Sequence, residues 1–339
     1  MQSKKLKGVL LLLAILSVAF LFFSYWYMME CEGNWRGEPL EKKMRTELVE
    51  IKKSIESDIE YLQNLGPRNS ENETNYKQLR QCEEWIRQRW ESQGYVVKKH
   101  TFLIREREYS NLEIEIKGFT QPSEIIIISA QYDTLPDSPG ANNNGSGIAI
   151  LFQLSHLLRK HHPERTLRLL NFVNEEDPFF GTEMMGSFHY AKRCRQQGGD
   201  IRVMLSLDAL GVYKDEPGSQ RLPFPFSLFY PDRGNFLAFI GNLASRKYMI
   251  ETTKGFKKGS SFPIQAGVAP EWAKGAAWSD HSSFWKFGYP GIMVTDTGGF
   301  RSAYHTTKED TIEKLNFEAM SRIVIGIYTS AVHLTSLQE

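Results

Sequence analysis

A chain of 339 residues with 41% apolar and 24% charged residues has ordinary globular composition and enough length to bury a large core. Its net charge of +1, with no basic stripe interleaved with aromatics, excludes nucleic acid as a partner. Three widely spaced cysteines, Cys31, Cys82 and Cys194, form no CxxC pair, which excludes a thiolate zinc site and a disulfide scaffold while leaving room for a single bridge.

The first element is a membrane segment. Lys4, Lys5 and Lys7 precede an apolar run from Val9 to Met29, long enough to span a bilayer, and Phe22–Tyr27 has the makeup of an interfacial aromatic belt. A cleaved signal peptide is the competing reading, but no small-x-small site follows. Residues 1–30 therefore read as a single-pass signal anchor with its N-terminus cytoplasmic and the main domain periplasmic or luminal. Residues 31–40 read as a linker, and 41–339 as the domain. Met44, Leu48, Ile51, Ile55, Ile59 and Leu62 recur at helical spacing up to Gly66-Pro67, and a second helix is expected from Glu73 to Gln93. Tyr95–Leu103 and Glu108–Ile116 read as a hairpin. Glu124–Ala130, Leu167–Val173 and Val203–Leu207 read as strands buried on both faces. Ile148–Leu158 reads as a helix between the first two. Residues 211–275, rich in Pro, Gly and aromatics, read as long loops over one end of the sheet, with a helix around Asn235–Arg246. Gly291–Thr295 is a short strand and Phe317–Leu334 a closing amphipathic helix. The alternation implies an α/β protein with an inner sheet covered on both faces.

Each buried strand ends in polar residues: Gln131-Tyr132-Asp133, Asn174-Glu175-Glu176-Asp177 and Asp208. Ligand sites in open α/β sheets lie beyond the carboxyl ends of strands, so these groups are expected to converge, joined by Tyr304-His305-Thr306. Taken singly, each has a structural alternative: a solvated charge run, a turn cap, a helix-entry loop at Asn142-Asn143-Asn144-Gly145.

Taken in order, these blocks resemble the zinc-dependent aminopeptidases of peptidase family M28. That family carries His-x-Asp, then Gly-Ala-Asp-Asp-Asn-Gly-Ser-Gly, a Glu-Glu pair, an Asp and a late Tyr-His-Thr. Ser279-Asp280-His281-Ser282 is similar to its Ser-Asp-His element beside the substrate pocket. The resemblance implies a single zinc-exopeptidase-like α/β domain with a mixed, mostly parallel sheet, a fold shared with glutaminyl cyclases. It further implies Glu175 as general base, Glu176 and His305 as ligands of one metal, Asp208 as ligand of another, and Asp133, Asp280, His281 and Tyr304 as second-sphere or pocket residues. Two positions depart from it. Gln131 stands in place of the first histidine ligand, and Asn143 in place of the bridging aspartate. An amide has one coordinating oxygen and cannot bridge two cations, and a neutral oxygen is a poor match to zinc. The substitutions disfavour two zinc ions and leave one divalent metal as the expectation, zinc ahead of calcium or magnesium. Three readings follow: an impaired or inactive peptidase whose cleft holds a peptide or protein N-terminus, an active single-metal exopeptidase or glutaminyl-cyclase-like enzyme, and a non-enzymatic binding ectodomain.

Overall fold

The computed structural model describes residues 2–33, 35–224 and 226–336. The side chains of Lys4 and Lys5 and residues 337–339 lie outside the described residues. Helix α1 (Gln2–Met29) contains a 23-residue stretch, Lys7–Met29, long and apolar enough to cross a membrane, and its apolar side chains from Val9 to Phe23 are exposed. The domain then runs α2 (Arg45–Leu65), α3 (Glu73–Ser92), β1 (Lys98–Ile104), β2 (Arg107–Ile116), β3 (Gln121–Gln131), α4 (Gly147–Leu158), β4 (Arg165–Phe172), α5 (Gly186–Gln196) and β5 (Asp200–Leu207). It continues with β6 (Leu237–Gly241), α6 (Arg246–Gly259), β7 (Ile264–Val268), α7 (His281–Trp285), β8 (Gly291–Thr295) and α8 (Phe317–Thr335). All three cysteines are free and buried.

The eight strands form one mixed sheet in the order β1-β2-β4-β3-β5-β8-β6-β7. Strands β4, β3, β5 and β8 are mutually parallel, β6 and β7 are parallel to each other, and the β1–β2, β2–β4 and β6–β8 pairs are antiparallel. The isoleucine run of β3, residues 125–128, is unbroken because both faces of the strand are covered. Successive strand residues point to opposite faces. Ile126 and Ile128 enter the larger core with residues of α2, α4 and α8, whereas Ile125 and Ile127 enter a second core with Tyr190 of α5 and Phe284. Strand β4 divides in the same way, Leu167 and Leu169 to one side and Leu170 and Phe172 to the other.

The expected loops of 211–275 need correction. That region contains β6, α6 and β7, and the helix lies at Arg246–Gly259 rather than around Asn235–Arg246. Leu237–Gly241 is a strand because Phe239 and Leu237 are fully packed between layers. The sheet thus extends two strands past the Pro- and Gly-rich stretch. Helix α6 packs on α8 closely enough that a Cβ at Gly259 would fall 2.4 Å from the Ile325 carbonyl oxygen, which is why small residues stand there.

At the hairpin side, buried Glu113 of β2 gathers His100 (2.8 Å), the Tyr190 hydroxyl (2.8 Å) and the charge of Arg168 (3.6 Å). Burial pushes this carboxyl up, but the His100 hydrogen bond and the Arg168 charge more than reverse that, to about 2. Because the folded value lies below the ordinary 4.5, the network's stabilisation is complete above pH 4.5 and is lost as pH falls through about 2. We expect Glu113→Gln to cost roughly 2–4 kcal/mol at neutral pH and to flatten the acid limb of stability between about pH 5 and 2. Thermal melts of the detergent-solubilised chain across that range check both; an unchanged acid limb would place the acid sensitivity elsewhere.

Candidate active site

Strand β3 is flanked by β4 on one side and β5 on the other, so the direction of chain crossover reverses there. In such sheets the crevice at the carboxyl ends of those strands is the ligand site. Gln131 ends β3, Glu175 and Glu176 follow β4, and Asp208 follows β5. The fold therefore brings together four of the residues singled out from sequence. The Asn142–Asn144 run completes the floor, held from below by Asp310, whose carboxylate accepts the backbone N–H groups of Asn142 (2.8 Å) and Asn143 (2.9 Å).

The amides form a connected network with the carboxylates. Gln131 Nε2 donates to Asn143 Oδ1 (3.1 Å) and to Glu175 Oε2 (3.3 Å). Asn143 Nδ2 donates to Glu176 Oε1, and Asn144 Nδ2 donates to Gln131 Oε1 and to the Leu207 carbonyl (2.7 Å). Asp133 sits beneath the acidic pair, accepting the N–H groups of Glu175 (3.1 Å) and Glu176 (3.0 Å). Its role here is to fix the turn that aims the two glutamates.

Electrostatically the crevice is an acidic cluster out of water. Burial pushes the Glu175 carboxyl well above the usual range, and the charges of Asp208 and Glu176 add to the effect. Burial, then Asp133 and Asp208, do the same to Glu176. Asp208 is raised to about 6 by burial, against hydrogen bonds from Ser279 and Gln131. Asp133 is likewise raised to about 6 by burial.

His305 lies with Asp208 on the wall of an adjoining cavity of about 120 Å³, lined mainly by apolar groups including Phe236, Val268, Met293 and Phe300. Gly298, at φ +50°, lets the imidazole lie against the backbone, since a Cβ there would stand 2.9 Å from the ring. The remaining expected pocket residues sit differently. His281 is fully buried at the start of α7, bonded through Nε2 to the Ala276 carbonyl (2.8 Å) and edge-on to Trp285. Its partner Ala276 lines the cavity, and His281 itself does not. Asp280 is fully buried, its carboxyl raised by burial. Tyr304 is 40% exposed with Lys314 over its ring, outside the residues that line the cavity.

Three residues that shape the site were not singled out from sequence: Asp310 beneath the asparagine run, Asp296 and Arg68. Asp296, just after β8, accepts N–H groups from Val212 (2.8 Å), Gly298 (2.8 Å) and the Asn142 side chain (2.9 Å). Its signal was available, since it follows a buried strand as Asp208 does. Arg68 is fully buried and donates to the carbonyls of Tyr132, Leu62, Gly66 and Pro139. The sequence marks its position only as the residue after a helix stop.

At the two positions where the resemblance implies further zinc ligands, Gln131 and Asn143 present neutral amides. Among the described residues, no three His, Cys, Asp or Glu side chains are grouped to hold a metal. At the bridging position, Asn143 directs an N–H toward Glu176, a donor where a cation would need an acceptor.

Comparison with known proteins places this geometry. The model of Peptidase family M28 matches residues 111–330. The uncharacterized protein YfbL of Escherichia coli is 30% identical over 285 residues, 81% of this chain and 86% of its own length. A probable aminopeptidase of Saccharomyces cerevisiae is 26% identical over 235 residues, 65% of this chain and 56% of its own. The chain spans about half the length of the probable zinc metalloproteases of Pyrenophora that it also matches. Among solved structures, the LapA aminopeptidase of Legionella pneumophila superposes with a TM-score of 0.67 at 18% identity, over 91% of this chain and 78% of that one. The glutaminyl cyclase of Fimbriiglobus ruber gives 0.59 at 17% identity, over 91% and 98%.

Proposed function

We propose, from the premise that this chain belongs to peptidase family M28, that it is a membrane-anchored member whose cleft binds a peptide or protein N-terminus without di-zinc hydrolysis. The observation that carries this reading is the amide network: Gln131 and Asn143 supply hydrogen-bond donors to Glu175 and Glu176. Those donors do for the acidic pair what a cation would otherwise do. A metal entering between them would have to break these bonds and face an N–H at Asn143. The apolar cavity suits the side chain of an N-terminal residue, and the excess of buried acids beside it suits the cationic amine. Helix α1 supports the anchor; the reason to read its N-terminus as cytoplasmic, and the domain as periplasmic or luminal, is the lysines Lys4, Lys5 and Lys7 ahead of the apolar run.

The test is metal content by elemental mass spectrometry on the full chain, purified in detergent without chelator or histidine tag. We expect well under one metal per chain, even after dialysis against zinc. Under the same reading, calorimetry with a leucine-initiated peptide shows heat that its N-acetylated form does not. One equivalent of zinc would overturn this reading.

A second reading rests on Asp208 and His305 sharing one cavity wall beside Glu175. There the chain is a single-metal exopeptidase or cyclase with Glu175 as general base. Glu175→Gln must then abolish any hydrolysis or cyclisation while leaving the melting temperature within a few degrees.

A further inference from the structure

Outside the crevice, Phe224 and the short helical turn at 226–230 form an unusually apolar surface. Phe224 is 79% exposed, Leu228 67% and Phe229 47%, three large apolar side chains within six positions. Apolar surface concentrated in this way marks an interaction site. Its neighbour identifies the partner. The Phe229 ring packs on Tyr25 of α1 with centroids 4.1 Å apart, and the Tyr230 hydroxyl donates to Met29 Sδ at 2.8 Å. From α6, Arg246 donates to the carbonyls of Tyr27 (2.8 Å) and Glu30 (3.1 Å), with its guanidinium over the Tyr27 ring at 3.9 Å. The last turns of α1 are therefore built into the domain rather than joined to it by a free tether.

Resting on the reading of α1 as a membrane anchor, we infer that Phe224, with Leu228 and Phe229 of the 226–230 turn, inserts into the lipid interface and seats the domain directly on the bilayer. Tyr25 to Tyr27 occupy the end of the span, where aromatic side chains sit at headgroup depth. A ring packed against Tyr25 lies at the same depth, and its exposed neighbours meet lipid rather than water. Aromatic and leucine side chains beside an arginine are the composition of an interfacial element. The same turn contributes Phe226 and Tyr230, and α1 contributes Met29, to the wall of the apolar cavity. The cleft and the membrane surface thus share residues, so a ligand reaches the cavity along the bilayer. Membrane-bound partners with a free N-terminus close to the lipid surface fit this placement better than long soluble chains.

The experiment uses the full chain in liposomes with a single environment-sensitive fluorophore on an introduced cysteine, Leu228→Cys. The three native cysteines are buried, and unsubstituted protein carried through labelling measures any background. Leu16→Cys, near the middle of α1, reports insertion of the anchor through lipids brominated deep on the acyl chain, and Val96→Cys, 83% exposed in the segment before β1, reports water. We expect lipids brominated high on the acyl chain to quench the Leu228 probe strongly, with a blue-shifted emission, while the Val96 probe is quenched only by aqueous iodide. A Leu228 probe that behaves like the Val96 probe overturns the seat, with the anchor intact if the Leu16 probe is quenched. Shielding of Leu228 from both bromolipid and iodide also overturns it, because a protein contact would then cover the turn. Loss of quenching at Leu16 overturns the anchor reading and, with it, the seat, whose depth is set by Tyr25 at the end of the span.

Discussion

The double substitution Gln131→His with Asn143→Asp is expected to turn a chain that holds little zinc into one that binds it near-stoichiometrically. Apparent affinity should rise by at least roughly a thousandfold, because two ligands are supplied at once and metal affinity is steep in ligand number and charge. The reason lies in the network around position 143. In the natural chain Asn143 accepts from Gln131 and donates toward Glu176, so one amide links the two halves of the crevice by hydrogen bonds. A carboxylate there removes the N–H and supplies two oxygens; an imidazole at 131 supplies a nitrogen and removes the donor that now satisfies Glu175. Each single substitution should do far less. Asn143→Asp alone adds a further acid to a buried cluster whose carboxyls are already raised, and Gln131→His alone leaves the N–H at 143 in place. Strong non-additivity is thus part of the expectation. With Glu175 retained where the family has its base, release of p-nitroaniline from a leucine anilide should appear only in the double variant. Zinc bound without turnover would mean that the crevice is shaped for binding alone. No zinc at all would mean that the backbone, not the two amides, had lost the site.

The parts of this site that were legible in sequence are those where one strand carries one chemical message. Four isoleucines followed by Gln131, an apolar strand followed by Glu175-Glu176, and another followed by Asp208 each say that a buried strand delivers polar groups to one edge, and the parallel pairing of β4, β3 and β5 makes them meet. The hairpin, both early helices, β8 and the closing helix were readable for the same reason: long periodicity or a clean apolar run. What was not readable depended on partners distant in the chain. Strands β6 and β7 are five residues each and embedded in a stretch rich in proline, glycine and aromatics, and they become strands by pairing with β8 and with each other. The burial of His281 and the exposure of Tyr304 depend on α7 and on Lys314. Motif order alone carries no information on either. The direction of each amide, donor toward carboxylate, follows only once the crevice is assembled.

Arg68→Met is expected to destabilise the domain by roughly 3–5 kcal/mol, the range for breaking a buried charged network, and to loosen the crevice before the rest of the fold. This one side chain ties the end of α2 to the loop that carries the site. Its guanidinium donates to the Tyr132 carbonyl just past β3 (3.0 Å), to the Leu62 carbonyl in the last turn of α2 (2.9 Å), to Gly66 (3.1 Å), and to Pro139 (2.9 Å) at the entrance to the Asn142–Asn144 run. Its own backbone is clamped by Thr134, whose hydroxyl accepts the Arg68 N–H at 2.8 Å while the Thr134 N–H donates to the Arg68 carbonyl at 2.8 Å. Methionine keeps much of the volume but leaves those carbonyls buried without donors, and each such acceptor costs about 1–3 kcal/mol unless it finds water. Because Leu62 and Gly66 belong to the helix end and Tyr132 and Pro139 to the site loop, the relaxation that relieves this is separation of the two. Hydrogen exchange should therefore rise first over residues 132–147, with α5 and the β1–β2 hairpin protected to the global limit. Arg68→Lys provides the control: a single ammonium can reach only some of the carbonyls, so its loss should be intermediate, and a lysine variant as stable as the natural chain would show that charge, not the forked geometry, is what this position requires.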